Sequence, residues 1–157
     1  MTRLTRCCAA LLLVAVAVPA FAQNASWKTH TDMQDIRDLA RSGNDIWAAT
    51  GGGVFVLRDR RTPQESDTKY TNIDGLASID PRAIAIDSKG HVLVGASNGY
   101  LNIFDPASGW STVPDIARAS DKPQRGINVL RTRGDDVYIG TDFGVSVYMP
   151  AQQRFKD

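Results

Sequence analysis

Four residues beside glycine-containing turns have side chains that could hold a polar ligand. Asn98 and Tyr100 flank one such glycine, and Asp142 and Phe143 precede another. Aromatic rings offer flat apolar surfaces, while amides and carboxylates fix polar groups by hydrogen bonds. We therefore predict Asn98, Tyr100, Asp142 and Phe143 as ligand-binding residues. Tight turns need the same residue types, so a purely structural role in the turns is the competing interpretation.

Other chemistries find little support in the sequence. His30 and His91 are the two histidines, and no third ligand clusters with them, so we predict no metal site. The run Gly51-Gly52-Gly53 lacks the Lys-Ser/Thr of a phosphate-binding loop and reads as a hairpin turn. No Ser-His-Asp arrangement is visible, so we predict no catalytic residues, no cofactor and no enzyme activity.

The N-terminus predicts export. Two arginines precede an apolar run from Ala9 to Val18, and residues 20–22 read Ala-Phe-Ala, the pattern cleaved by signal peptidase. We place a signal peptide at 1–22, with a retained N-terminal anchor as the alternative. Both cysteines, Cys7 and Cys8, fall within it, so the mature chain 23–157 forms no disulfide. We expect a periplasmic or cell-surface location, with no membrane insertion after cleavage.

The charges are balanced and scattered. The chain has 18 Lys and Arg against 17 Asp and Glu, with no basic stripe and no acidic tail. A nucleic-acid-binding surface needs clustered positive charge, so we predict no nucleic-acid partner.

The mature chain contains a threefold repeat. Each copy is an apolar run, a three-residue turn that ends in glycine, and a second apolar run: the copies span 46–57, 92–104 and 137–148. Their starts are 46 and 45 residues apart, since 92 − 46 = 46 and 137 − 92 = 45. Runs rich in β-branched and aromatic residues around a glycine turn predict β-hairpins.

Further strands complete each copy. Apolar segments precede the hairpins at 36–40, 83–86 and 127–130, with Leu39, Ala85 and Leu130 each seven residues before a repeat start. Fourth strands are predicted at 68–71, at 110–113 and near Phe155, and an additional outer strand at 27–30. Four antiparallel strands every 45 or so residues are typical of β-propeller blades. We predict an all-β, partial propeller with blades at about 31–73, 79–115 and 125–157; a β-solenoid is the main competitor.

The repeat resembles that of two-component-regulator propellers. The residues that carry the resemblance are Gly75-Leu76, Ile79, Ile84, Ile86, Asp87, Gly90, the strand 92–96 and Gly99. Leu93 stands where that repeat usually has tryptophan, whereas Trp47 and Tyr138 keep an aromatic residue in the other copies.

The order of motifs over 27–157 is similar to the N-terminal propeller of PorZ-type proteins. It comprises Trp27 to His30, Ile46 to Val56, Gly75-Leu76-Ala77, Asn98 to Ile103, Ile127 to Leu130 and Phe143 to Val147. The resemblance implies either a surface scaffold of type IX secretion, where one such protein binds lipopolysaccharide, or a periplasmic sensor region, often for glycans.

These observations predict a non-catalytic, extracytoplasmic module that binds a glycan, lipopolysaccharide or envelope proteins. The alternative is a fragment of a propeller enzyme, a lyase or hydrolase, with its catalytic residues in missing blades. Three blades are fewer than the roughly four to eight of a closed propeller. We therefore expect an incomplete ring: a partial product of a longer gene, or a chain that closes by assembly.

Overall fold

The computed structural model describes residues 32–58 and 67–156, which form twelve β-strands and two short 3₁₀ turns. The first four strands are β1 (Ile36–Ser42), β2 (Asp45–Thr50), β3 (Gly53–Leu57) and β4 (Thr68–Tyr70). The next four are β5 (Pro81–Ile86), β6 (Val92–Ala96), β7 (Leu101–Asp105) and β8 (Gly109–Val113). The last four are β9 (Ile127–Arg133), β10 (Asp136–Thr141), β11 (Gly144–Met149) and β12 (Arg154–Phe155). The 3₁₀ turns lie at Asn72–Asp74 and Pro150–Gln152.

The strands form three antiparallel sheets, each a simple meander. Their orders are β1-β2-β3-β4, β5-β6-β7-β8 and β9-β10-β11-β12, and we name them blades 1, 2 and 3. The predicted all-β fold of four-stranded units is therefore confirmed. The predicted incompleteness of the ring stays a prediction, and the signal peptide and the strand at 27–30 lie outside the described residues.

A threonine closes the central hairpin of blades 1 and 3. The Thr50 hydroxyl donates to the carbonyl of Gly53 at 2.8 Å, and Thr141 donates to Gly144 at 2.9 Å. Both glycines have a positive φ, 133° and 140°, which residues with a Cβ rarely adopt. The sequence predicted these turns from their glycines, and the hydroxyl adds a bond that fixes their geometry.

The shared offset of seven residues does not give the same strand pairing in every blade. Leu39 pairs with Ala48 and Leu130 with Ile139, but the corresponding residue of blade 2, Val94, pairs with Ile84 and not with Ala85. The first hairpin of blade 2 has one more residue than those of blades 1 and 3, which shifts the pairing by one. Since alternate residues of a strand face opposite sides, Ala85 lies on the other face of the sheet from Ile84.

The blades pack face to face through two apolar clusters. Between blades 1 and 2, the cluster includes Trp47, Val54 and Val94, while Leu101, Leu130 and others fill the space between blades 2 and 3. The first strand of each blade lies beside that of the next, since β1 contacts β5 and β5 contacts β9. None of the three sheets could bury its apolar faces alone, so the packing of the blades against one another supplies the core.

Each first strand has a bulge at the same place. Pairing shifts by one residue at Arg37 in β1, at Arg82 in β5 and at Asn128 in β9. A bulge redirects the extra side chain out of the regular pleat. Three polar side chains are thereby placed at one end of the three adjacent strands. In the described part of the chain, no helix has the length and apolarity to cross a membrane.

Candidate functional site

The bulged residues link neighbouring blades at one end of the stack. Arg37 of blade 1 bonds to Asp35 of its own blade, with Nε 3.1 Å from Oδ2, and its Nη1 bonds to Asp80 of blade 2. The same Nη1 donates to the carbonyl of Pro81 at 3.2 Å. A guanidinium in this position neutralises two carboxylates and joins the two blades at once.

Blade 2 repeats this link toward blade 3. Arg82 Nη1 donates to Oδ1 of Asn128 at 2.9 Å. The Asn128 amide nitrogen in turn donates to Oδ1 of Asp142 at 2.7 Å, and the Gly126 N–H donates to Oδ2 at 2.7 Å. Both oxygens of Asp142 are therefore fixed by the strand that it packs against. We call this set of polar residues the rim; its members are Asp35, Arg37, Asp80, Arg82, Asn128 and Asp142.

Two of the rim carboxyl groups, Asp80 and Asp142, have pKa values held below their ordinary value. The hydrogen bond from Asn128, followed by that from the Gly126 N–H, lowers the pKa of Asp142 below its ordinary value of 3.8. For Asp80, the Ser97 hydroxyl is the largest cause of a lowered pKa, and Arg37 adds to it. Hydrogen bonds and positive charge favour the carboxylate over the acid. The rim is therefore charged at neutral pH.

A cleft of about 570 Å³ opens beside the rim, between blades 2 and 3. Its lining residues are Arg82, Ser97, Asn98, Pro123, Gln124, Arg125 and Asp142. The connection between β8 and β9 forms one wall, and Arg125 is held there by two bonds to backbone carbonyls: Nε to Lys122 at 2.7 Å and Nη1 to Ala117 at 2.8 Å. These two bonds fix the orientation of the Arg125 guanidinium relative to the cleft.

The turn of blade 2 approaches this wall closely. A Cβ on Gly99 would come 2.7 Å from the carbonyl oxygen of Arg125 and 3.0 Å from the backbone of Ala117. Only glycine fits there, so the sequence at this turn sets how near Asn98 lies to the connecting wall.

The structure brings together two of the four predicted ligand-binding residues. Asn98 and Asp142 both line the cleft and are exposed. Tyr100 is half-buried beside its turn and is not among the lining residues. Phe143 lies in a separate groove with Ile116 and others, and the Lys122 ammonium is 5.9 Å from its ring centroid.

Sequence reasoning missed the two arginines of the cleft. A signal for Arg82 was present, because Arg37 and Arg82 are 82 − 37 = 45 residues apart and so occupy the same place in the repeat. Arg125 has no such counterpart. It reaches the cleft only because the connection between β8 and β9 folds over the turn of blade 2.

The other chemically interesting residues have structural surroundings. His91 Nδ1 lies 2.7 Å from Oδ2 of Asp87 within the first hairpin of blade 2. Trp47 is packed between Tyr70 and Phe104, with ring centroids 5.8 and 5.2 Å away, and Trp110 joins the same cluster. Within residues 32–58 and 67–156, no three His, Cys, Asp or Glu side chains converge in a way that could hold a metal ion.

The lining of the cleft suits polar recognition. Two guanidinium groups offer paired donors for anionic or hydroxyl oxygens, and the amides of Asn98 and Gln124 both donate and accept. Asp142 can accept from a hydroxyl through lone pairs that its two fixed bonds leave free.

No family model and no curated protein matches the chain. Solved structures do. PorZ, a bacterial surface component of the type-IX secretion system of Porphyromonas gingivalis, is 21% identical with a TM-score of 0.73, over 83% of this chain and 17% of PorZ. The extracellular domain of BT4673 of B. thetaiotaomicron, described as a hybrid two-component system, is 23% identical with a TM-score of 0.67, over 78% of this chain and 16% of that one.

The likeness extends to a WD40 protein. The WD40 repeats of RRP9 match 83% of this chain and 39% of that one, with a TM-score of 0.58 and 16% identity. By contrast, the chain spans only about a sixth of the length of PorZ and of the BT4673 domain. WD40 repeats are propeller blades of four-stranded sheets. At these identities the comparisons establish the fold alone: the three sheets of this chain are blades of a β-propeller.

Proposed function

We propose that this chain is an exported, non-catalytic binding module that holds a carbohydrate with anionic and hydroxyl groups in the cleft between blades 2 and 3. The observation that carries the proposal is the convergence of Arg82 and Arg125 with Asp142, Asn98 and Gln124 in one cleft. Separate strands and loops supply these side chains, and hydrogen bonds within the protein fix several of them before any ligand arrives. Preorganised polar groups bind at a lower entropic cost.

The solved relatives support an extracytoplasmic setting. PorZ is a bacterial surface component and the BT4673 domain is extracellular, and the leader-like N-terminus of this chain agrees with export. Export is tested by expressing the full chain in a bacterial host and sequencing the N-terminus of the product from the envelope. We expect it to begin at Gln23; a product that begins at Met1 and stays in the cytoplasm would overturn this part of the proposal.

Binding is tested with the full chain on an array of acidic and neutral glycans and on immobilised lipopolysaccharide. We expect acidic glycans or lipopolysaccharide to bind, with Arg82→Met weakening the affinity about tenfold or more through the loss of a charge-assisted bond. Arg133→Met is the matched control, because Arg133 lies at the other end of its blade, in the first hairpin, and should leave binding unchanged. Equal weakening by both variants would point to nonspecific charge attraction.

The enzyme alternative is tested in the same reactions. A hydrolase would release reducing ends from a bound polysaccharide, and a lyase would release unsaturated products that absorb in the ultraviolet. We expect neither. Product formation that Asp142→Asn abolishes would replace the binding module with an enzyme, whereas capture of an envelope protein without glycan binding would replace the carbohydrate with a protein partner.

A further inference from the structure

Among the described residues, the outer faces of blades 1 and 3 carry exposed apolar side chains. We call the face of a blade that points toward the next blade along the chain its front, and the opposite face its rear. The rear of blade 1 exposes Ile36 and Leu39, with 55% and 56% of their surfaces accessible. The front of blade 3 exposes Val145, at 75%, together with Val129 and Tyr138. All five are large apolar side chains on β-strands.

The repeat shows what such faces do when they are covered. At the junction of blades 2 and 3, the front of blade 2 presents Gly95, and a Cβ placed there would come 2.2 Å from Cγ2 of Ile127 and 3.6 Å from Cδ1 of Leu130. Leu101 lies on the same front and is fully buried. Ile127 and Leu130, on the rear of blade 3, are also fully buried.

The two exposed faces carry glycine or apolar residues at the positions that form the centre of the internal junction. By strand pairing, Gly140 and Val145 on the front of blade 3 correspond to Gly95 and Leu101. On the rear of blade 1, the counterparts of Ile127 and Leu130 are Ile36 and Leu39, an isoleucine and a leucine again. The exposed front and the exposed rear are therefore two halves of the interface that the chain already makes inside itself.

We propose that these faces join two copies of this chain head to tail, so that Gly140 of one copy receives Ile36 and Leu39 of the other. Front and rear are different surfaces, and such an interface forms a closed ring when the rotation between copies completes a circle. Two copies bring six blades, within the range of about four to eight found in propellers, while three copies would bring nine. Both junctions of the six-bladed ring are then identical.

One position of the exposed front carries a charge that the internal junction lacks. Arg131 on the front of blade 3 stands where blade 2 has Ala85, opposite Tyr138 and Leu93 respectively. Its Nη1 donates to the carbonyl of Leu130 at 2.7 Å, so the side chain folds back along its own strand. The aliphatic part of an arginine can cover apolar surface while its charged end stays in water, which makes the residue compatible with the edge of a junction.

The test is the mass of the full chain in solution, measured by sedimentation and light scattering at micromolar concentrations. We expect twice the mass of one chain. Leu39→Lys and Val145→Glu should each give single chains with unchanged circular dichroism, because both side chains are exposed in one copy. Ile73→Glu is the matched control, since Ile73 is as exposed, at 57%, but lies in the turn between β4 and β5, and it should remain dimeric.

Mixing the two disrupting variants gives a sharper result. A Leu39→Lys chain retains its front and a Val145→Glu chain retains its rear, so an equal mixture can form one native junction and one junction that places lysine near glutamate. We expect the double mass to return in the mixture but not in either variant alone. A full chain that stays single at all concentrations, assemblies that grow without closing, or variants that remain dimeric would each overturn the proposal.

Discussion

Gly95 of β6 packs directly against Ile127 of β9, so closely that a Cβ on the glycine would come within 2.2 Å of Cγ2 of the isoleucine. This contact joins blade 2 to blade 3 at the centre of their shared core. Neither residue has space to move, because Ile127 is fully buried. The distance between the two blades therefore depends on the absence of a side chain at position 95.

We expect Gly95→Ala to lower the free energy of unfolding by about 1–3 kcal/mol, the usual cost of overpacking a core. Gly140→Ala is the matched control at the same repeat position, where the added Cβ would meet only Val129 at 3.3 Å. Its effect on the unfolding of the dilute chain should be under about 0.5 kcal/mol. Urea denaturation measures both, and equal losses would contradict the close packing at Gly95.

Trp47 should be a structural residue. It is 5% exposed and stacks between aromatic rings from blades 1 and 2. Trp47→Ala should therefore cost about 3–5 kcal/mol of unfolding free energy, as is usual for a buried aromatic residue. Tyr138→Ala, at the same place in the repeat but 38% exposed, should cost under about 1 kcal/mol in dilute solution. A Trp47 variant of normal stability would contradict this assignment.

Asn102 should stabilise the link between β7 and its surroundings. Its side chain is fully buried, and its Oδ1 accepts from the N–H of Ala77 at 2.9 Å and from the hydroxyl of Thr112 at 3.2 Å. Asn102→Ala leaves both donors without this acceptor, and we expect a loss of about 1–3 kcal/mol. Thr112→Val removes only one donor and should cost less, about 1 kcal/mol or under. Thermal unfolding distinguishes the two; the reverse order would contradict the acceptor role.

The pKa of Asp142 should lie below its ordinary value, because the hydrogen bonds from Asn128 and the Gly126 N–H stabilise the carboxylate. A carboxyl with a lower pKa in the folded than in the unfolded chain adds stability above the unfolded value, and this contribution disappears as the pH falls through the folded value. Asn128→Ala removes the larger cause, so we expect the Asp142 pKa to rise and the loss of stability in acid to become smaller. Carboxyl NMR titration measures the first effect and urea denaturation at pH 3 to 7 the second.

Asn72→Ala serves as the control for that titration. Asn72 is an exposed asparagine in the turn after β4, in a different blade connection from Asp142. It should leave the pKa of Asp142 unchanged. An unaltered Asp142 pKa in the Asn128 variant would show that the amide bond does not control the titration.

The fold could be predicted from the sequence because each strand pair is local. The hairpins at 46–57, 92–104 and 137–148 carry their own signals: apolar runs of strand length and a turn that ends in glycine. The one-residue shift at Ile84 could not be predicted, because the first hairpins of all three blades use the same kinds of turn residue, glycine with Asn or Asp, although the hairpin of blade 2 is one residue longer. Equal spacing from the repeat start was therefore an unreliable guide to register.

The candidate site was harder to predict because it depends on contacts between blades. Asn98 and Asp142 have local turn signals, and the sequence indicated both. Arg82 bonds to a residue 46 positions away, and Arg125 enters the cleft through the path of a connecting segment. The residues nearby in sequence specify neither contact: that of Arg82 depends on how the first strands of blades 2 and 3 lie side by side, and that of Arg125 on how the connection between β8 and β9 folds.

The meander order of each sheet has a consequence for biogenesis. Among the described residues, every hydrogen-bonded strand pair joins neighbours along the chain, so blade 1 can finish its pairing while later residues are still being synthesised. The front of blade 1 then provides an apolar surface against which blade 2 packs, and the front of blade 2 does the same for blade 3. A short sequence separation between paired strands favours rapid folding, so the blades can form in the order in which their residues are synthesised.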